Sequence, residues 1–180
     1  ISVKEGKFKG KTKEIGTVEF KNVSFKYPEA DDYVLKNISF KVNKGETIAF
    51  IGSTGSGKST LINLIPRFYD ATVGEVLVDG INVKDYKLKD LHNKLGYVPQ
   101  RAVMFTGTVS SNVSYGDNGR EDISLDKIKD AVRVAQGEEF VSKMENTYEA
   151  HIARGGTNVS GGQKQRLAIA RAIARDPEIY

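Results

Sequence analysis

The chain has 180 residues, with 27 Lys and Arg against 23 Asp and Glu, a formal net charge of +4 and no cysteine. With 39% of its residues hydrophobic it holds enough apolar matter for one sizeable core, and its length argues for one domain rather than two. Disordered, collagen-like and disulfide-stapled classes are excluded, and the lack of thiols fits a reducing compartment. No apolar run approaches the roughly 20 residues that span a bilayer, and the N-terminus lacks a signal-peptide core. The basic excess is too small to argue for nucleic acid.

Residues 1–16 carry five lysines and no apolar period, which predicts a basic linker or tail. Beside a membrane such a segment would be drawn to anionic lipid; otherwise it is a solvated face. From Thr17 the pattern turns strand-like. Val18 and Phe20 share one face, and Val23, Phe25 and Tyr27 resume the alternation after a slip at Asn22 that predicts a bulge. Pro28 and the acidic run to Asp32 end this strand. Ile38, Phe40 and Val42 alternate in a second strand, closed by an Asn43-Lys44-Gly45 turn. Thr47 to Ile51 is continuously apolar, the signature of a strand buried on both faces of an α/β core. A helix is expected through Leu61, Ile62, Leu64 and Ile65, then a strand with Val76 and Val78 running into an Asp79-Gly80 turn. Leu95 to Val98 reads as a short strand stopped by Pro99. Leu125, Ile128, Val132 and Ala135 mark an amphipathic helix. A last helix begins near Ser160, buries Leu167, Ala170, Ile173 and Ala174, and is stopped by Asp176-Pro177; Glu178 to Tyr180 looks like the start of another strand.

Gly52-Ser53-Thr54-Gly55-Ser56-Gly57-Lys58-Ser59 matches G-x-x-x-x-G-K-S/T, placed between an expected buried strand and an expected helix. Three glycines let successive N–H groups point into one hollow, and the helix adds its positive end. Lys58 is positioned to contact β- and γ-phosphates, the Ser59 hydroxyl to ligate Mg²⁺, and Thr60 to add a donor. The loop alone says only that a nucleoside triphosphate binds.

Three more segments narrow the reading. Val159-Ser160-Gly161-Gly162-Gln163 opens the last helix, Gln100 follows the strand ending in Val98-Pro99, and Tyr27 closes the Val23–Tyr27 strand. Together with the phosphate loop this ordered set resembles the nucleotide-binding domain of ATP-binding-cassette (ABC) transporters, across residues 17–180. The resemblance implies an α/β P-loop fold: a RecA-like core with an antiparallel β subdomain and an α-helical signature subdomain. It implies ATP and Mg²⁺ as ligands. Tyr27 would stack on adenine, although the alternation of its strand equally predicts a core tyrosine. Gln100 would ligate Mg²⁺ or orient water, and Ser160, Gly161, Gly162 and Gln163 would cover the γ-phosphate held by a partner subunit. Ser160 also reads as an ordinary N-cap.

The segment from Arg101 to Val109, running into Asn112-Val113, resembles the exporter-type surface that faces transmembrane coupling helices. Ala153 to Asn158 resembles the exporter X-loop, with Arg154 where Glu or Gln is usual. Multidrug or lipid exporters are the nearest kind. The resemblance implies a linker over 1–16 behind a transmembrane region, an ATPase domain over 17–180, a second nucleotide-binding domain and transmembrane domains as partners, and a place on the cytoplasmic face of a membrane. The family's acidic strand end, catalytic glutamate, D-loop and switch histidine are expected beyond Tyr180, so the domain is expected to be incomplete at its C-terminus, with little or no turnover from these residues alone. Asp176 to Tyr180 resembles the lead-in to that acidic strand, and Glu178 precedes it rather than serving as the base. His92 and His151 read as solvated surface residues. A soluble ABC ATPase of the translation or DNA-repair kind and a non-hydrolysing nucleotide-binding regulator remain the alternatives.

Overall fold

In the first strand, β1 (Val18–Phe25), the buried residues Val18 and Phe20 are followed by two exposed ones before Val23 and Phe25 turn inward again. The slip falls where the sequence predicts it. Asn22 has φ 50°, and the pairing register shifts between Phe20 and Val23. The computed structural model describes residues 5–116 and 122–180. These divide into two compact units, one of residues 1–95 with Ile179 and the other of residues 96–178 with Tyr180. Each unit has its own hydrophobic cluster.

In the first unit β1 pairs antiparallel with β2 (Leu35–Val42) on one side and β3 (Val73–Val78) on the other, and β4 (Ile81–Asn82) closes the sheet in the order β2-β1-β3-β4. Asp79 and Gly80, at φ 52° and 76°, form the tight turn between β3 and β4. Helix α1 (Lys58–Leu64) buries Thr60, Leu61 and Leu64, and each leucine contributes about 1.5–3 kcal/mol by leaving water. Helix α2 (Leu88–Lys94) buries Leu91.

The expectation for Thr47 to Ile51 is not met. The segment forms no strand, and Ile48 and Ile51 are 44% and 97% exposed. An apolar run becomes a buried strand only when neighbours take up its N–H and C=O groups on both sides, and among the described residues no strand pairs with it. Phe50 alone is anchored, its ring tilted against Phe40 at 5.4 Å. Among the described residues, parallel pairing is confined to single bridges, Phe8 with Tyr86 and Leu95 with Ile179, the second being all that forms of the strands expected at 95–98 and 178–180. His92 is also corrected: its ring is half-buried and hydrogen-bonded to the Pro66 carbonyl at 2.8 Å, while His151 is exposed.

The basic leader is tied down. Residues 1–4 lie outside the described residues, but from Glu5 onward the chain is docked. The Gly6 and Phe8 amides donate to the Tyr86 and Asp85 carbonyls at 3.1 and 2.7 Å, and the Lys87 amide donates back to Phe8 at 3.0 Å. Phe8 sets its ring against buried Tyr86. Lys7, Lys9, Lys11 and Lys13 alternate with these contacts and stay exposed. Farther on, the Glu14 carboxylate accepts from the Thr17 hydroxyl at 2.9 Å and from Lys41 at 3.2 Å, which hold it below the usual carboxylate range. Buried Asp79 takes the Thr17 amide at 3.0 Å and the Lys94 ammonium at 2.8 Å. One carboxylate thus joins the residue before β1, the β3–β4 turn and α2.

The second unit is mostly helical. A two-residue ribbon, β5 (Gly107–Thr108) with β6 (His151–Ile152), accompanies α3 (Val109–Val113), α4 (Leu125–Val134), α5 (Glu138–Ser142) and α6 (Gly161–Ala174). Helix α4 buries Ile128, Ala131 and Val132 but leaves Leu125 48% exposed. No helix among the described residues is long and apolar enough to cross a membrane.

Two outcomes test the docked leader. A Cβ on Gly6 would fall 2.2 Å from Asp85 backbone atoms, so Gly6→Val is expected to speed amide exchange at Phe8 and Lys87 by about tenfold or more while leaving Leu61 in α1 unchanged. Asp79→Ala removes the buried anion from its cationic and amide partners and is expected to lower stability against urea by about 3 kcal/mol.

Candidate functional site

The backbone of residues 52–59 curls because its glycines permit it. Gly55 and Gly57 have φ of 83° and 89°, and Gly57 is the residue from which α1 starts, its carbonyl accepting from the Leu61 amide at 2.8 Å. A Cβ there would also lie 3.0–3.1 Å from the side chains of Leu35 and Val34. Conformation and space therefore both demand glycine. The Ser56 amide donates to the Ser53 carbonyl at 3.2 Å, closing a turn inside the loop.

The Lys58 side chain folds back over this curl. Its ammonium donates to the Gly52 and Ser53 carbonyls at 2.7 Å each and to the Ser56 hydroxyl at 3.2 Å. The loop is exposed from Gly52 through Ser56, and Ser59 is exposed on the first turn of α1. Thr60, the next residue of the helix, is 7% exposed, and its hydroxyl lies 2.8 Å from that of Tyr27. Tyr27 itself stands just beyond β1, half-buried, within a cluster of rings that includes Phe25 and Tyr69. The core and binding readings of Tyr27 are therefore compatible, since part of the ring stays accessible.

Among the described residues no group of three or more His, Cys, Asp or Glu could hold a metal ion. Ser59 offers an exposed hydroxyl and Gln100 an exposed amide oxygen. Both are neutral oxygen donors of the kind Mg²⁺ accepts alongside water and substrate phosphates. The donor chemistry fits the ion.

Ser160 to Gln163 belong to the second unit, as does Gln100. Ser160 caps α6 reciprocally: its hydroxyl accepts from the Gln163 amide at 3.2 Å, and the Gln163 side chain accepts from the Ser160 amide at 2.8 Å. The approach is fixed by buried Val159, whose amide donates to Gly156, and by Asn158, which bonds both Ala153 and His151. Gly161 and Gly162 are exposed, with nothing within 4 Å of where a Cβ would stand. Beside them lies an open cleft of about 380 Å³, walled by Glu139 and Phe140 of α5, by Lys143 just past its end and by Arg166 of α6. The Lys143 ammonium, 2.7 Å from Glu139, holds that carboxyl below its ordinary range, with help from Arg166. Arg154 is exposed in a short 3-10 turn.

Sequence reasoning missed Arg171. This arginine of α6 donates to the Asn112 carbonyl at 2.7 Å and to Val103 at 3.0 Å, and it lies over the stacked rings of Phe105 and Tyr115. Fully buried Asn112 in turn donates to the Phe105 and Thr108 carbonyls at 2.8 and 3.0 Å. Together they shape the 103–115 segment, which overlaps the stretch from Arg101 to Val113 expected to face transmembrane helices. The available signal was one cation within the apolar run Leu167 to Ala174.

Comparisons with known proteins agree on the kind of chain this is. The ABC transporter family matches residues 35–180. The ABC transporter ATP-binding protein YfiB of Bacillus subtilis (strain 168) is 46% identical over 164 residues, covering 91% of this chain and 28% of that protein. Multidrug resistance protein 1 of Entamoeba histolytica is 47% identical over 165 residues, covering 91% of this chain and 13% of that protein. The solved structure of a bacterial Atm1-family ABC exporter with ATP bound superposes with a TM-score of 0.85 at 34% identity, over 96% of this chain and 29% of that one. This chain thus spans less than a third of the length of each of these relatives. A curled glycine loop under Lys58, a capped signature helix and a family match over most of its length place the chain in the ABC transporter family.

Proposed function

We propose that this chain is the ATP-binding motor segment of a membrane exporter, acting at the cytoplasmic face and coupled to transmembrane domains. The observation that carries the reading is the Lys58 ammonium held over the curl of Gly52, Ser53 and Ser56. Its partners are two neutral carbonyls and a hydroxyl. A triphosphate offers charged oxygens instead, and charge-assisted bonds are roughly twice as strong as neutral ones. The ammonium can therefore exchange its present partners for phosphate at a net gain, with donors of the loop and α1 adding to it.

The signature half follows the same chemistry. The helix α6 presents its positive end behind two glycines that leave backbone room for an anion. In the proposed assembly this surface meets the nucleotide held on the loop of a second nucleotide-binding domain, so that two chains enclose two nucleotides. Ser59 and Gln100 would hold Mg²⁺, which when bound neutralises charge between the outer phosphates. The chain's own residues do the positioning: Lys58 orients the outer phosphates, Tyr27 receives the base, and Ser160 with Gly161 and Gly162 covers the outermost phosphate from the partner side. The multidrug names of some relatives favour export over a soluble role in translation or DNA repair.

Lys58→Ala is expected to weaken MgATP binding by about tenfold to a hundredfold in titration calorimetry, the loss of one charge-assisted contact. Unchanged affinity would refute the phosphate assignment. Ser160→Arg is expected to leave MgATP binding to the chain's own loop intact while abolishing ATP-dependent association of the intact protein, read by light scattering. Normal association would remove Ser160 from the partner-facing role.

A further inference from the structure

The Tyr27 ring is held by neighbours that belong to other parts of the first unit. Its centroid lies 4.9 Å from Phe25 at 82° and 5.3 Å from Tyr69 at 89°. Phe25 and Tyr69 are themselves 5.6 Å apart, so the three rings close a triangle. Phe25 is the last residue of β1 and only 3% exposed, which gives the triangle a fixed corner. Tyr69 comes from the connection between α1 and β3. The third constraint is the contact of 2.8 Å between the Tyr27 and Thr60 hydroxyls, which runs from the ring to the first turn of α1.

We infer that Thr60 and Tyr69 are positioning residues for recognition of the nucleotide base, acting through Tyr27 and linking the base pocket to the phosphate loop. This rests on the reading of Tyr27 as the adenine contact. A stacking ring is useful only when its plane is set, because a tyrosine otherwise rotates about two side-chain torsions and loses freedom on binding. Two nearly perpendicular rings oppose rotation of the Tyr27 plane, since edge-to-face pairs lose their geometry when either ring turns. The hydroxyl contact fixes the far end of the side chain. Thr60 also stands two residues beyond Lys58 on the same turn, so whatever displaces the Tyr27 hydroxyl bears directly on the helix that carries the phosphate-binding lysine. A hydroxyl that merely fills space in the core would have no reason to distinguish a ligand with a base from one without.

The test compares MgATP with magnesium tripolyphosphate, which carries the phosphate chain and no base, by titration calorimetry on the full chain. Tyr27→Phe and Thr60→Val each remove one side of the hydroxyl contact while keeping shape, and Tyr69→Leu removes the perpendicular ring. Each is expected to weaken MgATP binding by about fivefold, the worth of one ordinary hydrogen bond or ring contact, and Tyr27→Phe and Tyr69→Leu, which lie outside the phosphate loop, are expected to leave tripolyphosphate binding unchanged. The double variant Tyr27→Phe/Thr60→Val is expected to lose no more than either single change, because both delete the same contact. Equal losses for the two ligands at Tyr27 and Tyr69 would overturn the inference, since these residues would then be supporting the loop alone. Additive losses in the double variant would overturn it as well. If the unaltered chain binds the two ligands equally well, the adenine role of Tyr27 itself falls. If it prefers MgATP and all variants keep that preference, only the positioning role falls.

Discussion

At Gly57 the backbone passes through the left-handed region, and the position where a side chain would start is already closed by Val34 and Leu35 at the head of β2. The start of α1 follows from that passage. It lets an irregular chain turn straight into α1, so that Lys58 is both the first helical residue and close enough to reach back to the Gly52 and Ser53 carbonyls. It sets the phase of the helix, so that Leu61 and Leu64 are buried while Ser59 is left exposed. It also brings Thr60 to the Tyr27 hydroxyl. One backbone conformation therefore decides which side chains hold the core and which are offered to a ligand.

How much of this could be read in advance depends on the range of the interaction concerned. The phosphate loop, the bulge at Asn22, the Asp79-Gly80 turn and the cap at Ser160 are all local: a residue type dictates a conformation within two or three positions, and the sequence states it openly. The docking of the leader is not legible for the opposite reason. Its lysines are as exposed as expected, but the residues between them meet partners near positions 79 and 85, and no periodicity in the leader reports contacts some seventy residues away. His92 failed in the same way, because its partner is a carbonyl in a different segment. The run from Thr47 to Ile51 failed for another reason. Apolar composition records that burial is suitable, but it does not supply the flanking strands that would achieve it.

The second unit is governed by a different device. Where the first unit depends on glycine conformation, the 103–115 segment depends on side chains standing in for missing ladders. Buried Asn112 donates to two carbonyls and accepts from the Phe105 amide at 2.9 Å, while Arg171 takes up the carbonyls of Val103 and Asn112. An irregular segment can keep a defined shape in this way only if its polar backbone groups are individually satisfied. Burial disfavours the arginine's charge, and the carbonyls and ring faces around it offset that cost. Phe105 and Tyr115 then stand partly exposed yet stacked at 4.0 Å, a firm apolar surface rather than a loose one.

The phosphate loop and the head of α6 each have internal bonds at the residues proposed to meet a ligand. Lys58 is bonded to its own loop, and Ser160 and Gln163 are bonded to each other. A ligand must then compete with internal bonds, and only one offering stronger acceptors can win. Neutral solutes fail this test at Lys58, because they would replace carbonyls with equivalents and gain nothing. Polyanions pass it, and the gain grows with the charge carried by the terminal phosphate. In the proposed function, selectivity for a triphosphate would come less from an open cavity that admits it than from self-contacts that exclude weaker competitors.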